Sequence, residues 1–199
     1  MHPKIWSVQN LPSDCFRIVP CKSPVGGVVI LSANAILYFN QTQFNGLATN
    51  LFAEKTVNQT VYPLQDAVYE TVDGQKATLN ILLENCEVEY LGSTELLLAM
   101  SNGDYYVLSL PFEDSSRRGY LNGVRAGSGS ARELVLKLRQ LPSGVTASCI
   151  CADEDRKTLF IGSRSGDSIL YTYFKRRLED ASINPQDDDI VANGNGLPE

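Results

Sequence analysis

Residues 158–171 read Thr158-Leu159-Phe160-Ile161-Gly162-Ser163-Arg164-Ser165-Gly166-Asp167-Ser168-Ile169-Leu170-Tyr171. An apolar run enters a turn rich in Gly and Ser and returns as a second apolar run that contains an aromatic residue. Ser165-Gly166 can supply the positive φ that a type I′ or related turn requires. The stretch therefore predicts a β-hairpin.

Two other stretches, residues 28–39 and 96–108, follow the same plan. Their turns lie at Asn34, the next best residue after glycine for a positive φ, and at Asn102-Gly103. The turns are 69 and then 63 residues apart, whereas a four-stranded propeller blade needs about 40–45. The spacing predicts blades with long loops, and we expect the excess at 41–58 and 111–131.

Short apolar runs separated by Gly, Asn, Asp, Ser and Pro predict strands along most of the chain. The predicted strands are Cys15–Val19, Val28–Ser32, Ile36–Asn40, Ala77–Leu83, Glu87–Leu91, Glu95–Met100, Tyr105–Leu110, Leu134–Leu138, Thr146–Cys151, Thr158–Gly162 and Ser168–Phe174. Ala131–Leu141 also fits a short helix, but a strand is favoured. The predicted fold is all-β: a WD40-like partial β-propeller of about three four-stranded blades over residues 1–177.

The net charge of −6 is confined to one end of the chain. Residues 1–177 carry 17 acidic and 17 basic side chains, and residues 178–199 carry six acids and no base. A neutral body argues against a nucleic-acid-binding domain, which needs surplus positive charge. Residues 178–199 lack an apolar period and are predicted to be a disordered acidic tail or linker.

Neither a membrane segment nor a metal site is expected. No run approaches the roughly 20 apolar residues of a membrane helix, and the first residues do not resemble a signal peptide. The five cysteines show no C-x-x-C spacing, so neither zinc nor a disulfide framework is indicated. Cys149 and Cys151 would share one strand face as small buried hydrophobes. The sequons at Asn40 and Asn58 are interpreted as chance.

Catalytic chemistry finds little support in the sequence. The one histidine is His2, so no Ser-His-Asp or Cys-His set can form within the fold. Glu87 and Glu89 could face one pocket as paired carboxylates, but alternating acids on a strand are more often its solvated face. Asp104 and Asp167 are better interpreted as turn residues that accept backbone hydrogen bonds than as metal ligands. The prediction is a binding protein, not an enzyme, without cofactor or metal.

Three stretches carry a resemblance to one protein family: Ser23-Pro24-Val25-Gly26-Gly27-Val28-Val29-Ile30, Asn34-Ala35-Ile36-Leu37-Tyr38-Phe39-Asn40-Gln41-Thr42, and Leu159 to Leu170. The family contains the largest subunit of the cleavage and polyadenylation specificity factor, the large subunit of the UV-damaged-DNA-binding complex and a splicing factor 3b subunit. The Leu-Tyr-Phe-Asn-Gln-Thr stretch is most similar to the cleavage and polyadenylation member. The motif residues with an expected structural role are Gly26, Gly27, Asn34, Asn102, Gly103, Gly162, Ser163, Arg164, Gly166 and Asp167.

The resemblance implies a segment of a nuclear, non-catalytic scaffold for pre-mRNA 3′-end processing, corresponding to the last blades of a first propeller. Its partners would be other cleavage and polyadenylation subunits, with RNA contacted through them. Tyr120 and Arg125 are candidate interface residues because interface hot spots favour Tyr and Arg. One alternative is a ubiquitin-ligase or DNA-damage adaptor of the same family. Another is a carboxylate-using propeller glycosidase.

The acidic tail gives the first testable prediction. Because residues 178–199 cannot bury enough surface to offset the entropy of ordering, limited proteolysis should remove them first and leave the three-hairpin body intact. Mass spectrometry of the fragments measures this. Tail protection equal to that of the body would contradict the prediction.

Overall fold

The computed structural model describes residues 6–114 and 132–174. Within these ranges the regular structure is β-strand apart from one short helix, α1 (Ala53–Thr56). The strands form antiparallel meanders in chain order, as in the blades of a propeller. The predicted all-β, propeller-like fold is therefore confirmed, while the predicted tail at 178–199 lies outside the described residues.

The first meander, which we call blade 1, contains four strands. They are β1 (Cys15–Pro20), β2 (Val28–Ser32), β3 (Ala35–Phe39) and β4 (Phe44–Ala48). Each pairs antiparallel with the next, and Ile30 lies opposite Leu37 in the central hairpin. β4 occupies part of the predicted 41–58 loop, so the excess residues of the first repeat lie mainly between blades, at 49–86.

This linker contains α1 and three short strands: β5 (Gln65–Asp66), β6 (Val68–Glu70) and β7 (Lys76–Thr78). β5 adds to β4 in parallel, and β6 forms a hairpin with β7. Ala67, between β5 and β6, is fully buried. The predicted strand Ala77–Leu83 is thus largely irregular, and only its first two residues belong to β7.

Blade 2 also has four strands. They are β8 (Glu87–Gly92), β9 (Glu95–Ala99), β10 (Tyr105–Ser109) and β13 (Lys137–Leu141). A separate hairpin of β11 (Phe112–Asp114) and β12 (Arg132–Leu134) lies between β10 and β13 in the chain. The predicted strand Leu134–Leu138 is therefore divided between β12 and β13. β6 pairs in parallel with the outer strand β13.

Blade 3 contains three strands within the described residues, one fewer than predicted. They are β14 (Cys149–Asp153), β15 (Thr158–Gly162) and β16 (Ile169–Thr172). Both pairings are antiparallel, with Phe160 opposite Cys151 on one side and Leu170 on the other. The hairpin that the sequence predicts at 158–171 is confirmed.

The blades stack face to face, and we call the side of a blade that points to the following blade its forward face. The forward face of blade 1 packs on the backward face of blade 2 through a core that includes Val29, Leu31, Tyr38, Leu96, Leu98, Tyr106 and Leu108. The forward face of blade 2 packs on the backward face of blade 3 through Leu97, Ala99, Tyr105, Val107, Leu159 and Ile161. Alternate residues of one strand therefore enter different cores.

Cys149 and Cys151 correct the sequence interpretation. They do share a face of β14, but both are exposed rather than buried. The reason is that they lie on the forward face of blade 3, which no described residue covers.

The interface between blades 1 and 2 makes Leu98 a sensitive position, because its side chain is 1% exposed. We expect Leu98→Ala to lower the free energy of unfolding by about 2–5 kcal/mol through lost burial and a residual cavity. Leu51→Ala, at a side chain that is 83% exposed, should change it by no more than about 0.5 kcal/mol. Chemical denaturation measures both, and equal effects would contradict the stacking.

Candidate interaction surface

The Gly26-Gly27 turn joins β1 to β2, and both glycines have a positive φ, +64° and +73°. The Gly27 carbonyl accepts the Cys21 N–H at 2.9 Å, and the Lys22 carbonyl accepts the Gly26 N–H at 3.1 Å. A Cβ on Gly27 would lie 2.3 Å from the Phe39 carbonyl oxygen. Glycine is therefore required there both for conformation and for space.

Tyr38 connects two of the family-like motifs. Its side chain is fully buried, and its hydroxyl donates to the Gly26 carbonyl at 3.1 Å. The Asn40 Nδ2 donates to the same hydroxyl at 3.0 Å, while the Asn40 Oδ1 accepts the Gln43 N–H at 2.7 Å. Burial raises the pKa of Tyr38. Asn40 is thus a turn residue whose side-chain amide is hydrogen-bonded at both its nitrogen and its oxygen.

The turn at Asn34 differs from the prediction, because Asn34 does not have a positive φ. The backbone N–H groups of Asn34 and Ala35 instead donate to the Ser32 Oγ at 3.3 and 3.0 Å. The Asn34 Nδ2 donates to Asp14 Oδ2 at 2.8 Å. The Ser32 hydroxyl closes the turn, so a left-handed residue is not needed.

The Asn102-Gly103 turn matches the prediction, with a φ of +89° at Gly103. The Gly103 carbonyl accepts the Gly144 N–H at 2.9 Å, and a Cβ on Gly103 would lie 2.7 Å from the Gly144 oxygen. The Asp104 carboxylate accepts hydrogen bonds from Asn102 Nδ2 at 2.7 Å and Ser143 Oγ at 2.6 Å. It is a turn residue as predicted, but its partners are side chains rather than backbone.

The turn of the third hairpin is exposed and built from serines. Gly166 has no positive φ and open space around it, contrary to the prediction. The Ser163 N–H donates to Ser168 Oγ at 3.3 Å, and the Arg164 N–H donates to Ser148 Oγ at 3.2 Å. Gly162 is buried, and a Cβ there would lie 2.6 Å from the Cys149 Sγ. The side chains of Arg164 and Asp167 are exposed in this turn.

One cluster, Lys22, Tyr90 and Glu154, joins all three blades. Lys22, after β1, pairs with Glu154 in the turn after β14, and its Nζ lies 4.5 Å from the ring centroid of Tyr90 on β8. The Tyr90 hydroxyl donates to the Pro20 carbonyl at 2.7 Å. Burial raises the pKa of Tyr90 to about 12, so the hydroxyl keeps its proton at neutral pH. The ion pair, the cation–π contact and the Tyr90 hydrogen bond all lie within the fold. This cluster therefore fixes the positions of the three blades.

Glu87 and Glu89, the paired carboxylates of the sequence analysis, each make a contact within blades 1 and 2. Glu87 Oε2 lies 3.5 Å from Arg17 Nη1, and Glu89 Oε1 accepts the Tyr90 N–H at 3.0 Å. Among residues 6–114 and 132–174, no group of three or more His, Cys, Asp or Glu side chains could hold a metal ion. In the same ranges no helix has the length and apolar content to cross a membrane. His2 lies outside them.

The linker presents an exposed apolar group that sequence reasoning missed, formed by Leu51, Phe52 and Leu82, which we call the apolar knob. The Asn50 Nδ2 donates to the Ile81 carbonyl at 2.8 Å, and the Ile81 N–H donates to the Thr49 carbonyl at 2.9 Å. These bonds hold the two loops of the knob together. The signal available in the sequence was Leu51-Phe52, two adjacent apolar residues between predicted strands. The candidate interface residues Tyr120 and Arg125 lie outside the described residues.

Comparison with known proteins identifies relatives along nearly the whole chain. Cleavage and polyadenylation specificity factor subunit 1 of Drosophila melanogaster is 30% identical over 171 residues, 85% of this chain and 10% of that protein. The Arabidopsis thaliana protein of the same name is 28% identical over 196 residues, 97% of this chain and 12% of that protein. A probable subunit 1 of Caenorhabditis elegans is 26% identical over 170 residues, 85% of this chain and 10% of that protein.

The chain is homologous to one segment of this subunit, at 26% to 30% identity over 85% to 97% of its own length. It spans about a tenth of the length of the curated relatives it matches. No protein-family model matches the chain. The resemblance to the cleavage and polyadenylation specificity factor large subunit, drawn from three short motifs, is confirmed over most of the chain.

Three glycines of the family-like motifs provide a matched test of the turns. Gly27→Ala should destabilise most, because it combines a strained positive φ, costing about 1–2 kcal/mol, with a clash against the backbone of Phe39. Gly26→Ala should carry the conformational cost alone, since nothing lies within 4 Å of its Cβ position. Gly166→Ala should be within about 0.5 kcal/mol of the parent. Denaturation midpoints measure the order, and a Gly166 effect as large as that of Gly27 would contradict it.

Proposed function

We propose that the chain is a non-enzymatic protein-interaction scaffold segment that acts in the nucleus in pre-mRNA 3′-end cleavage and polyadenylation. The observation that carries the proposal is the match to cleavage and polyadenylation specificity factor subunit 1 over 85% to 97% of the chain. The relatives' name describes a subunit of a complex. The chain's contribution would be to hold other subunits of that complex in position.

The charge of residues 1–177 supports protein contacts rather than direct RNA binding. Nucleic-acid affinity comes largely from Lys and Arg that neutralise phosphates, and residues 1–177 hold no surplus of either. Two of the basic side chains, Arg17 and Lys22, are already paired with Glu87 and Glu154. RNA would therefore be contacted through partner subunits.

The apolar knob is a surface suited to a protein partner. Leu51 and Phe52 are exposed next to each other, and the Phe52 N–H is held by the Asn50 Oδ1 at 2.9 Å. A partner that covers these side chains gains their burial without paying to order the loop. Another subunit of the cleavage and polyadenylation complex is the proposed occupant. Tyr120 and Arg125 are separate candidate interface residues, proposed only from the preference of hot spots for Tyr and Arg.

The test combines RNA binding with capture of defined subunits. The purified chain should bind RNA carrying a polyadenylation signal weakly and no better than scrambled RNA. Immobilised, it should capture recombinant cleavage and polyadenylation subunits, and Leu51→Lys with Phe52→Lys should reduce capture at least tenfold. Val72→Lys, at an exposed side chain of the β6–β7 turn, is the matched control and should leave capture unchanged.

Two results would overturn the proposal. Tight, sequence-selective RNA binding would show that the chain recognises RNA itself and is not a scaffold segment. Capture of cullin-ligase components in place of 3′-processing subunits would assign the chain to an adaptor function.

A further inference from the structure

The apolar knob belongs to the linker that joins blade 1 to blade 2, and its three side chains are exposed. Leu51 is 83% exposed, Phe52 is 62% exposed and Leu82 is 54% exposed. A single exposed apolar side chain is ordinary on a protein surface, whereas a group of neighbouring ones marks an interaction site. These side chains project from their loops, so the surface that covers them must be concave.

A hydrogen bond and a buried anchor hold the knob in place. The Asn50 carbonyl accepts the Ala53 N–H at 3.2 Å. Ala53, directly after Phe52, is fully buried, and Val57, directly after α1, is 3% exposed in a core of blade 1. Because these inward positions are already filled, Leu51 and Phe52 stay outside, and a partner does not have to order the loop that carries them.

The linker is acidic within a body that is neutral as a whole. Residues 49–86 carry five acids and two bases, a formal net charge of −3, whereas residues 1–177 together have a net charge of zero. The acids are Glu54, Asp66, Glu70, Asp73 and Glu84, and the bases are Lys55 and Lys76. All five acids are exposed, and no ion pair with another described residue involves them. The linker surface therefore attracts positive charge, over a range of about 8 Å at physiological ionic strength.

Two of these acids border the knob. Glu54 follows Phe52 by two residues and lies in α1, and Glu84 follows Leu82 by two residues. The base beside them in the chain, Lys55, has its Nζ over the Phe52 ring, 5.4 Å from the centroid. Among the described residues it makes no ion pair with either acid. The knob thus combines an apolar centre with carboxylates that the described part of the fold does not neutralise.

We propose that the occupant of the apolar knob is a pocket of another subunit that is apolar at its base and bordered by Lys or Arg. The inference rests on the proposed function, since it takes the partner from the cleavage and polyadenylation complex. Basic residues at the border pair with Glu54 and Glu84 when the apolar side chains are covered. An acidic border would bring like charges together, and an uncharged border would desolvate the carboxylates without compensation. A second copy of this chain would oppose the same acids to each other, so it is not the occupant.

The first measurement is the affinity of the chain for recombinant cleavage and polyadenylation subunits at low and at high salt. Glu54→Gln with Glu84→Gln removes the carboxylates beside the knob and should weaken capture by about two- to tenfold at low salt. The difference should shrink at high salt, because mobile ions screen these charges. The matched control is Glu70→Gln with Asp73→Asn on the β6–β7 hairpin. It changes the net charge equally, and its affinity should stay within about twofold of the parent.

The sign of the partner's charge is tested at Lys55. Lys55→Gln removes a charge of the same sign as the border of the pocket, so it should strengthen capture by about twofold at low salt. An acidic partner would give the reverse of both results, with weaker capture by the Lys55 variant and stronger capture by the Glu54 and Glu84 variant. Either reversal would overturn the proposal.

The apolar part of the contact is tested without added charge. Leu51→Ser with Phe52→Ser should reduce capture by about tenfold or more at both salt concentrations, because buried apolar anchors carry most of the affinity of an interface. All of the substituted side chains are exposed, so the denaturation midpoint of every variant should match that of the parent. A large loss of stability in the serine variant would show that the chain covers its own knob, which would overturn the proposal.

Failure of this inference is distinguishable from failure of the proposed function. If the parent chain captures none of the subunits, both are overturned. If the parent captures a subunit and either the charge variant or the serine variant binds it as tightly, only the basic-bordered pocket is overturned. Light scattering adds one further outcome: a mass of two chains in the parent that falls to one chain in the serine variant would identify a second copy as the occupant and overturn the inference.

Discussion

Burial of both faces of the middle sheet is the constraint on which the rest of the structure depends. On β9, Leu96 and Leu98 enter the core shared with blade 1, and Leu97 and Ala99 enter the core shared with blade 3. All four are at most 1% exposed. A strand buried on both sides has no polar face, which explains why residues 96–100 form an uninterrupted apolar run rather than an alternating one. The middle strands of blade 2, β9 and β10, therefore depend on the sheets on either side for their burial.

The hairpins could be predicted from sequence because their determinants are local. Each joins two apolar runs of five residues or so through a turn of Gly, Asn or Ser, and the turn fixes the register of the pair. β4 was missed because Phe44-Asn45-Gly46 has the composition of a loop. Its strand conformation depends on tertiary packing: a Cβ on Gly46 would lie 2.4 Å from Leu64 Cδ2. The linker residue that creates this requirement is 18 positions away, and no local pattern reveals it.

The candidate site shows the same division between local and distant causes. The alternation of β14 correctly places Cys149 and Cys151 on one face, but which face is covered depends on the neighbouring sheet. Gly103 and Gly166 occupy similar turns, yet only Gly103 has a positive φ. The two glycines also differ in their surroundings. Gly103 lies against the backbone of Gly144, whereas nothing lies within 4 Å of the Cβ position of Gly166. Two identical turn residues thus have different tolerances, and only the contacts of the folded chain distinguish them.

The linker of residues 49–86 has two roles. It covers the outer strand edges of blades 1 and 2, and it carries the apolar knob. Its strands β5 and β6 add in parallel to β4 and β13, the outermost strands of the blade 1 and blade 2 meanders. The edge strands of the two sheets are now β5 and β7, which have only two and three residues. Such short edges limit the addition of a strand from another protein. The same segment then returns to blade 1, where the Leu83 N–H donates to the Ala33 carbonyl at 2.9 Å. This return places Leu82 beside the loop of Leu51 and Phe52. The segment that limits strand addition at these edges therefore also holds the two loops of the apolar knob together, through the bonds from Asn50 to Ile81 and from Ile81 to Thr49.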